Sequence, residues 1–301
     1  SEPAPGRTPG ATRPRAAPAE PPGAFSLPES VHRVRRSGVR GSAAARAPVD
    51  GKDVVQSDSA RNDQRTVLVT GVNNPEGIGA AIARTFAANG DALLLTGRPV
   101  SERREYENLP PGEDRYAALR TVPVESTANE LRRLEVPVRA MAADLTDPDA
   151  IPPLFREAEA HLGPVAVLVH SAAHCSPDSF LAGNDVEFVS AESHDRHFAV
   201  NSRATALLMS EFVRRYREHG LAAGRIINVS TDAAAGHAGQ ASYGASKNAL
   251  ESYSRAGAHE LGPRNITVNV VAPGPVQTGW IDSELEEELV SRLPAGRLGA
   301  P

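Results

Sequence analysis

Two residues that could perform chemistry together, Tyr243 and Lys247, stand four positions apart. On a helix, side chains at i and i+4 lie above one another with Cβ atoms about 5–6 Å apart, so both could reach one ligand. A free tyrosine titrates near pH ~10, and a nearby ammonium lowers that pKa, which would suit a general acid–base. Ser230, thirteen residues before the tyrosine, offers a hydroxyl to the same site. Because the chain has only two lysines, Lys52 and Lys247, against 30 arginines, a lysine at this spacing is informative.

A glycine-rich stretch, residues 70–79, is typical of a phosphate-binding loop. Gly71 would allow the tight turn, Gly77 would let the backbone approach a pyrophosphate, and Gly79 would permit close helix–strand contact. A helix that begins near Ile78 would offer free N–H groups and its positive dipole end to the phosphates. The plain alternative is a glycine-rich turn without a ligand, but the position after a first apolar strand favours phosphate binding.

The position that usually distinguishes NAD from NADP carries an arginine. NAD-binding folds place an acidic residue about 20 residues after the glycine loop, near the end of the second strand. This chain has Arg98 there and no carboxylate, and a guanidinium pairs well with a 2′-phosphate. The sequence therefore predicts NADP(H), with a solvated surface arginine as the alternative. Residues 99–123 are predicted to form a polar loop that covers the adenosine end of the cofactor.

The elements that must position these residues alternate regularly along the chain. Apolar runs predict strands at 67–69, 92–95, 136–143, 165–169, 225–229 and 266–271, and amphipathic stretches predict helices up to 89, from 148, over 193–218 and over 240–261. Short continuous apolar runs separated by helices indicate parallel strands covered on both faces. The predicted fold is α/β, a doubly wound parallel sheet (Rossmann fold) with its ligand at the carboxyl ends of the strands.

Composition limits the remaining possibilities. Residues 1–62 are rich in Pro, Arg, Ala and Gly and poor in large apolar residues, so we predict a disordered extension before a nucleotide-binding domain over 63–301. Residues 1–65 have a net charge of +4 and the remainder −9, which argues against nucleic acid as a partner of the folded domain. No apolar stretch is long enough to cross a membrane, no metal-ligand spacing occurs, and the single cysteine suits a cytoplasmic location.

Residues 65–301 resemble the short-chain dehydrogenase/reductase family, in particular its 3-oxoacyl-[acyl-carrier-protein] reductase-like branch. The glycine loop is similar to the family's Thr-Gly-x-x-x-Gly-x-Gly with two extra residues. The resemblance implies that Asp144 and Leu145 contact adenine and that Asn201 is the active-site asparagine. It further implies a role in cofactor binding for Ala172 and for a loop, Val276 and Thr278 included, that closes on the nicotinamide amide. Tyr243 and Lys247 would also contact the cofactor, and Ser230 would hydrogen-bond the substrate oxygen.

The chain departs from the family pattern in three places. His170 replaces a family asparagine, and we interpret it as structural. Counting back from Tyr243 selects Ser230 as the substrate-oxygen donor, whereas counting on from Asn228 selects Thr231; we prefer Ser230. The family's final strand is missing after Pro301, which suggests either a truncated, impaired chain or an edge that a partner protomer covers.

The resemblance implies hydride transfer between NADP(H) and a small-molecule carbonyl or secondary alcohol, with a 3-oxoacyl thioester as one candidate substrate and a homo-oligomer as the expected assembly. Related enoyl reductases separate their tyrosine and lysine by six residues, so the spacing here favours carbonyl chemistry. An inactive nucleotide-binding fragment is the alternative. A third hypothesis is an interaction protein that uses the basic residues 1–62.

Overall fold

The structure is a computed structural model, and it describes residues 64–181 and 186–301. The disordered extension predicted over residues 1–62 lies outside these ranges, so it remains a prediction. No helix in the described ranges is both long and apolar enough to span a membrane. Within the same ranges, no group of three or more His, Cys, Asp or Glu side chains is arranged to hold a metal ion.

The predicted doubly wound sheet is confirmed. Its six strands, all parallel, are β1 (Thr66–Thr70), β2 (Ala92–Gly97), β3 (Val138–Ala142), β4 (Val165–His170), β7 (Gly224–Val229) and β8 (Ile266–Val271). They lie in the order β3-β2-β1-β4-β7-β8. The order reverses between β1 and β4, and the crevice beyond the carboxyl ends of these two strands is the expected ligand position. Two short strands, β5 (Asp178–Ser179) and β6 (Glu187–Phe188), pair separately.

Helices cover both faces of the sheet. They are α1 (Ile78–Ala88), α2 (Glu113–Leu119), α3 (Val124–Leu131), α4 (Ile151–His161), α5 (Ala191–Phe198), α6 (Ala204–His219), α7 (Ala241–Leu261) and α8 (Ser283–Arg292). Alternation along β1 divides the core into two clusters, because successive side chains of a strand point to opposite faces. Val67 and Val69 pack with α1 and α3, whereas Leu68 packs with Phe155 of α4 and Phe212 of α6. This two-sided burial explains the continuous apolar runs of the strands.

Two sequence expectations about helices were wrong. Residues 99–123 are not only a polar loop: they contain α2, whose Ala118 and Leu119 are buried, and α3 follows directly. The long helix predicted over 193–218 is interrupted between α5 and α6 by a π-helical turn, Ala199–Arg203. Hydrophobic periodicity predicts that a segment is helical, but it cannot predict that one turn of the helix is π-helical.

The outer edge of the sheet on this side is formed by β8. Among the residues that the structure describes, no strand pairs with the free side of β8. The last residues instead return to the loop after β8, where Gly299 N donates to Pro275 O and Gln277 N donates to Gly299 O. This pairing holds the loop that carries Val276 and Thr278 at the carboxyl end of the sheet.

Candidate active site

The glycine loop is shaped by close backbone contacts. Gly71 has φ +78° and donates its N–H to Thr96 O of β2. A Cβ atom at Gly71 would lie 2.6 Å from the Cα and N atoms of Ala172, which follows β4. A side chain at Gly79 would collide with the carbonyl oxygen of Gly71. The predicted reasons for glycine at 71 and 79, a tight turn and close helix–strand contact, therefore match the geometry.

The start of α1 fits a phosphate group. Gly77 occupies the N-cap position and has no side chain to bond the first N–H groups of the helix, which include those of Ile78 and Gly79. An uncapped helix N-terminus at the switch point of a parallel sheet presents free donors and a positive dipole end. The residues present therefore fit the pyrophosphate of a dinucleotide.

The residues predicted for the adenosine end lie after β2 and β3. Arg98 is exposed, and burial of its stem together with the guanidinium of Arg120 lowers its pKa, while Asp144 opposes the shift. Asp144 is exposed and accepts hydrogen bonds from the backbone N and the hydroxyl of Thr146. Leu145 is 7% exposed and belongs to the hydrophobic core. Of the predicted adenine pair, only Asp144 thus has a side chain at the surface.

Tyr243 and Lys247 are positioned by the first turns of α7. The buried carboxylate of Asp178 accepts the backbone N–H of Ser242 at 2.8 Å and the hydroxyl of Ser193 at 2.6 Å, which fixes the start of α7 to β5 and α5. Sequence reasoning missed this contribution of Asp178. Lys247 is 1% exposed, and its Nζ donates to Val229 O at the end of β7. Burial lowers the pKa of Lys247 to about 8.

The expected lowering of the tyrosine pKa is not observed. Burial raises the pKa of Tyr243 above its ordinary value, the neighbouring Cys175 adds to this rise, and only a hydrogen bond with Thr231 opposes it. Removal of the phenol from water is the largest cause, and the ammonium of Lys247, which donates to Val229 O, is not among the groups that oppose the rise. Tyr243 is therefore a protonated phenol at neutral pH in this structure.

The structure separates the two candidate hydroxyls beside Tyr243. Ser230 is 3% exposed, and its hydroxyl donates to Glu251 Oε1 of α7 at 2.8 Å. Thr231 caps the short 3₁₀ turn that follows β7: its hydroxyl accepts the Ala233 N–H and donates to Asp232 Oδ1 at 3.2 Å. The choice between Ser230 and Thr231 as the substrate-oxygen donor stays a prediction.

Asn201 lies in the π-helical turn and is fully buried. Its Oδ1 accepts the backbone N–H of His174, and its Nδ2 donates to His174 O and to the hydroxyl of Ser246 on α7. The side chain thus joins the turn to the segment after β4 and to the tyrosine-bearing helix. These bonds use both ends of the amide and hold it in place, and the predicted role of Asn201 as the active-site asparagine stays a prediction.

His170, at the end of β4, is a neutral buried histidine. Its Nδ1 lies 2.9 Å from the Thr70 hydroxyl, which itself accepts hydrogen bonds from the N–H groups of Ser171 and Ala172. The hydroxyl proton therefore goes to Nδ1, and the ring proton is assigned to Nε2. Burial, together with the ammonium of Lys247, lowers the pKa of His170 to about 3. The structural interpretation of this histidine agrees with these contacts.

His170→Asn is expected to reduce the loss of unfolding free energy that occurs as the pH is lowered. Between pH 6.5 and 3 the unfolded chain binds a proton at His170 that the folded chain does not, so stability is lost as the pH falls through this window. The wild type should lose about 2 kcal/mol more unfolding free energy than the variant between pH 7.5 and 5. Urea denaturation of both proteins at the two pH values measures this difference, and parallel losses would contradict it.

The loop after β8 is bonded directly to the glycine loop. Thr278 is 9% exposed, and its carbonyl oxygen accepts a hydrogen bond from Asn74 Nδ2 of the glycine loop at 2.9 Å. Val276 pairs with Gly299 and is half-buried. Both residues predicted to lie at the nicotinamide end are therefore carried by a loop that is tied directly to the phosphate loop.

Several residues near Tyr243 were not identified from the sequence. His174 and His197 pack edge to face with ring centroids 4.7 Å apart, and the His197 ring lies 6.3 Å from that of Tyr243. Burial, followed by His197 and Arg120, lowers the pKa of His174 to about 4. Tyr116 and Arg120, from the segment after β2, are close enough to change pKa values in this crevice. No spacing signal in the sequence connects these residues, because they come from separate loops.

Comparison with known proteins finds relatives that are named as oxidoreductases or reductases. An oxidoreductase of uncharacterized function from Bacillus subtilis, YjdA, is 31% identical over 243 residues, covering 80% of this chain and 87% of that protein. An NADPH-dependent aldehyde reductase 2 from Arabidopsis thaliana is 32% identical over 241 residues, covering 78% and 82%. A 3-oxoacyl-[acyl-carrier-protein] reductase from Rattus norvegicus is 31% identical over 224 residues, covering 74% and 81%.

A solved structure and a family model agree with these relatives. The crystal structure of a dehydrogenase/reductase from Sinorhizobium meliloti 1021 superposes with a TM-score of 0.62 at 31% identity, covering 79% of this chain and 83% of that one. The family model described as enoyl-(acyl carrier protein) reductase matches residues 71–301. Membership implies a nicotinamide cofactor, which the uncapped start of α1 fits. This chain therefore belongs to the short-chain dehydrogenase/reductase family of oxidoreductases.

Proposed function

We propose that this protein is an NADP(H)-dependent oxidoreductase that interconverts a carbonyl compound and a secondary alcohol, with a 3-oxoacyl thioester as one candidate substrate. The observation that carries the proposal is the arrangement of three side chains at the carboxyl end of the sheet. Tyr243 and Lys247 lie one helical turn apart on α7, and Thr231, which caps the turn after β7, lies close enough to oppose the rise in the Tyr243 pKa. A proton donor, a nearby cation and a second hydroxyl are the groups that carbonyl reduction requires.

Each of these side chains has a distinct task. The nicotinamide, when bound, supplies or accepts the hydride. Tyr243, protonated because burial raises its pKa, donates its proton to the substrate oxygen as negative charge develops there. Thr231 donates a hydrogen bond to the same oxygen. Lys247 supplies a positive charge one turn from the phenol and stabilises the phenolate that proton donation leaves.

Asn201 is proposed as a positioning residue. Its bonds to both backbone groups of His174 and to Ser246 hold the segment after β4 against α7. This contact fixes the wall of the crevice that faces Tyr243. Asn201 thus acts through its neighbours.

The preference for NADP(H) over NAD(H) rests on charge. The end of β2 carries Arg98 and no carboxylate, so nothing at this position repels a 2′-phosphate. The Arabidopsis relative that is named as NADPH-dependent supports the same cofactor preference. Titration with both reduced cofactors, followed by their fluorescence, tests this preference.

Carbonyl chemistry is favoured over the enoyl reduction that the family-model description mentions. The lysine lies a single turn from the tyrosine, at the i,i+4 distance that allows both side chains to serve one oxygen-centred reaction. The wider spacing associated with enoyl reductases is absent from this helix, which the structure describes in full.

The function is tested by following NADPH consumption with a panel of short ketones, a 3-oxoacyl thioester and an enoyl thioester. We expect turnover with at least one carbonyl substrate and none with the enoyl thioester. Turnover of the enoyl compound alone would overturn the proposed reaction. Binding of NADPH without turnover of any substrate would support the inactive nucleotide-binding protein instead.

A further inference from the structure

The segment between β2 and α3, residues 98–123, forms a roof over the nucleotide crevice, and we call it the roof segment. Leu119 of α2 is fully buried, and a Cβ atom at Gly279 would lie 2.5 Å from its Cδ1 atom. Gly112 N donates to Gly279 O in the loop after β8. The roof segment is thus docked on the loop predicted to contact the nicotinamide end of the cofactor.

The roof segment is also tied to the glycine loop. Arg115 of α2 forms an ion pair with Glu76 and donates to the carbonyl oxygens of Tyr106 and Leu109. On the other side, Asn73 Nδ2 donates to Val122 O at 3.0 Å, while its Oδ1 accepts the Arg98 N–H at 2.8 Å. Asn73 and Glu76 lie in the stretch of the glycine loop that is two residues longer than the family pattern. The longer loop and the roof segment therefore form one connected unit.

Among the described residues of this unit, three guanidinium groups lack a carboxylate within salt-bridge distance: those of Arg98, Arg104 and Arg120. Arg103 and Arg115 of the roof segment are paired with Glu107 and Glu76. In the ranges that the structure describes, neither Arg98 nor Arg120 makes a salt bridge. Arg120 is half-buried at the end of α2, with its Cζ atom 5.4 Å from the centre of the Tyr116 ring.

The Asn73 side chain bonds both Arg98 N and Val122 O, so Arg98 and Arg120 are carried by backbone segments that meet at one amide group. Burial lowers the pKa values of Arg98 and His174, and the guanidinium of Arg120 adds to both shifts. Its charge is therefore felt at both ends of the crevice. Two like charges close to each other are mutually destabilising unless an anion joins them. A phosphate group between them would receive charge-assisted, bidentate hydrogen bonds.

We propose that Arg120, carried into the crevice by the roof segment, binds a phosphate group of the dinucleotide together with Arg98. This inference deepens the proposed function and rests on its cofactor. It assigns a cofactor contact to a segment outside the family's glycine loop. The phosphate is either the 2′-phosphate or the pyrophosphate, which share the chemistry that a guanidinium recognises.

The test compares the dissociation constants of NADPH and NADH for the wild type, Arg120→Ala and Arg104→Ala. Arg104 is an exposed arginine of the same segment, so its substitution removes the same charge. We expect Arg120→Ala to weaken NADPH binding by about 10- to 100-fold and Arg104→Ala to change it by less than about twofold. The salt dependence of NADPH binding should be weaker in Arg120→Ala, because one ionic contact is lost.

The losses of affinity for NADPH and for NADH show which phosphate group Arg120 binds. An effect on NADPH but not NADH, with weaker competition by 2′,5′-ADP, assigns Arg120 to the 2′-phosphate. Equal effects on both cofactors, with weaker competition by ADP, assign it to the pyrophosphate. Dissociation constants within about twofold of wild type, or an equal loss in Arg104→Ala, would overturn the proposal.

Two controls distinguish a failure of this proposal from unfolding of the Arg120 variant and from a failure of the proposed function. If Arg120→Ala unfolds by circular dichroism, Arg120→Gln replaces it and the same criteria apply. A wild type that binds neither NADPH nor NADH would overturn the cofactor of the proposed function itself. A wild type that binds and turns over NADPH, beside an Arg120 variant of unchanged affinity, would overturn only the role of Arg120.

Discussion

Tyr243→Phe is expected to lower kcat for carbonyl reduction by about 10²- to 10⁴-fold, the range lost when a positioned general acid is removed. The substitution deletes one oxygen atom from a half-buried ring and leaves the packing against His197 in place. NADPH affinity should stay within about threefold of wild type, because the ring, and not the hydroxyl, fills the space. Steady-state kinetics with the best ketone of the panel, beside a fluorescence titration with NADPH, measures both quantities.

Tyr253→Phe is the matched control for this experiment. Tyr253 lies on the same helix α7 but is 46% exposed, so its hydroxyl has no place in the crevice. Its substitution should leave kcat unchanged. Full turnover by Tyr243→Phe would remove the phenol from the reaction, whatever the behaviour of the control.

Thr231→Ala is expected to lower kcat by about 10²- to 10³-fold, the cost of losing one donor to a developing oxyanion. Thr231→Ser should restore most of the activity because it keeps the hydroxyl. The basis for this expectation is the position of Thr231 at the turn after β7, close enough to Tyr243 to oppose the rise in its pKa. Steady-state kinetics with the same ketone measures the effect.

Ser230→Ala should show the opposite profile and serves as the neighbouring control. Its hydroxyl donates to Glu251, so its removal should cost about 1–3 kcal/mol of unfolding free energy with little loss of kcat. Urea denaturation and kinetics on the same preparations separate the two effects. An inactive but stable Ser230→Ala beside an active Thr231→Ala would return the role to Ser230.

The contrast between these neighbouring hydroxyls shows what the sequence alone could not predict about the site. Both residues follow β7, and successive side chains of an extended segment point to opposite sides. Counting from Tyr243 or from Asn228 gives registers that differ by one residue. The choice depends on where the strand ends: Ser230 N still donates to Val271 O, and the turn begins only at Thr231. Tertiary pairing with β8 therefore decides which of the two residues ends the strand and which begins the turn.

The direction of the Tyr243 pKa shift could likewise not be predicted from the sequence alone. The spacing of Tyr243 and Lys247 correctly placed them one turn apart on a single helix, because the period of a helix is a local property. Spacing alone gave no information on burial or on the direction of the ammonium. Both depend on β7 and on the segment after β4, which meet α7 only in the folded protein.

By itself, the sequence determined the α/β class, the strand pattern, the glycine loop with its helix N-terminus, and the tyrosine–lysine pair. All of these follow from local composition, periodicity and backbone freedom, as at Gly71 and Gly79. Only the tertiary structure decided the π-helical turn at Asn201, the position of Thr231 at the turn after β7 and the docking of the roof segment. These features arise from contacts between segments far apart in the chain, such as Arg115 with Glu76 and Gly112 with Gly279, and no local pattern encodes such contacts.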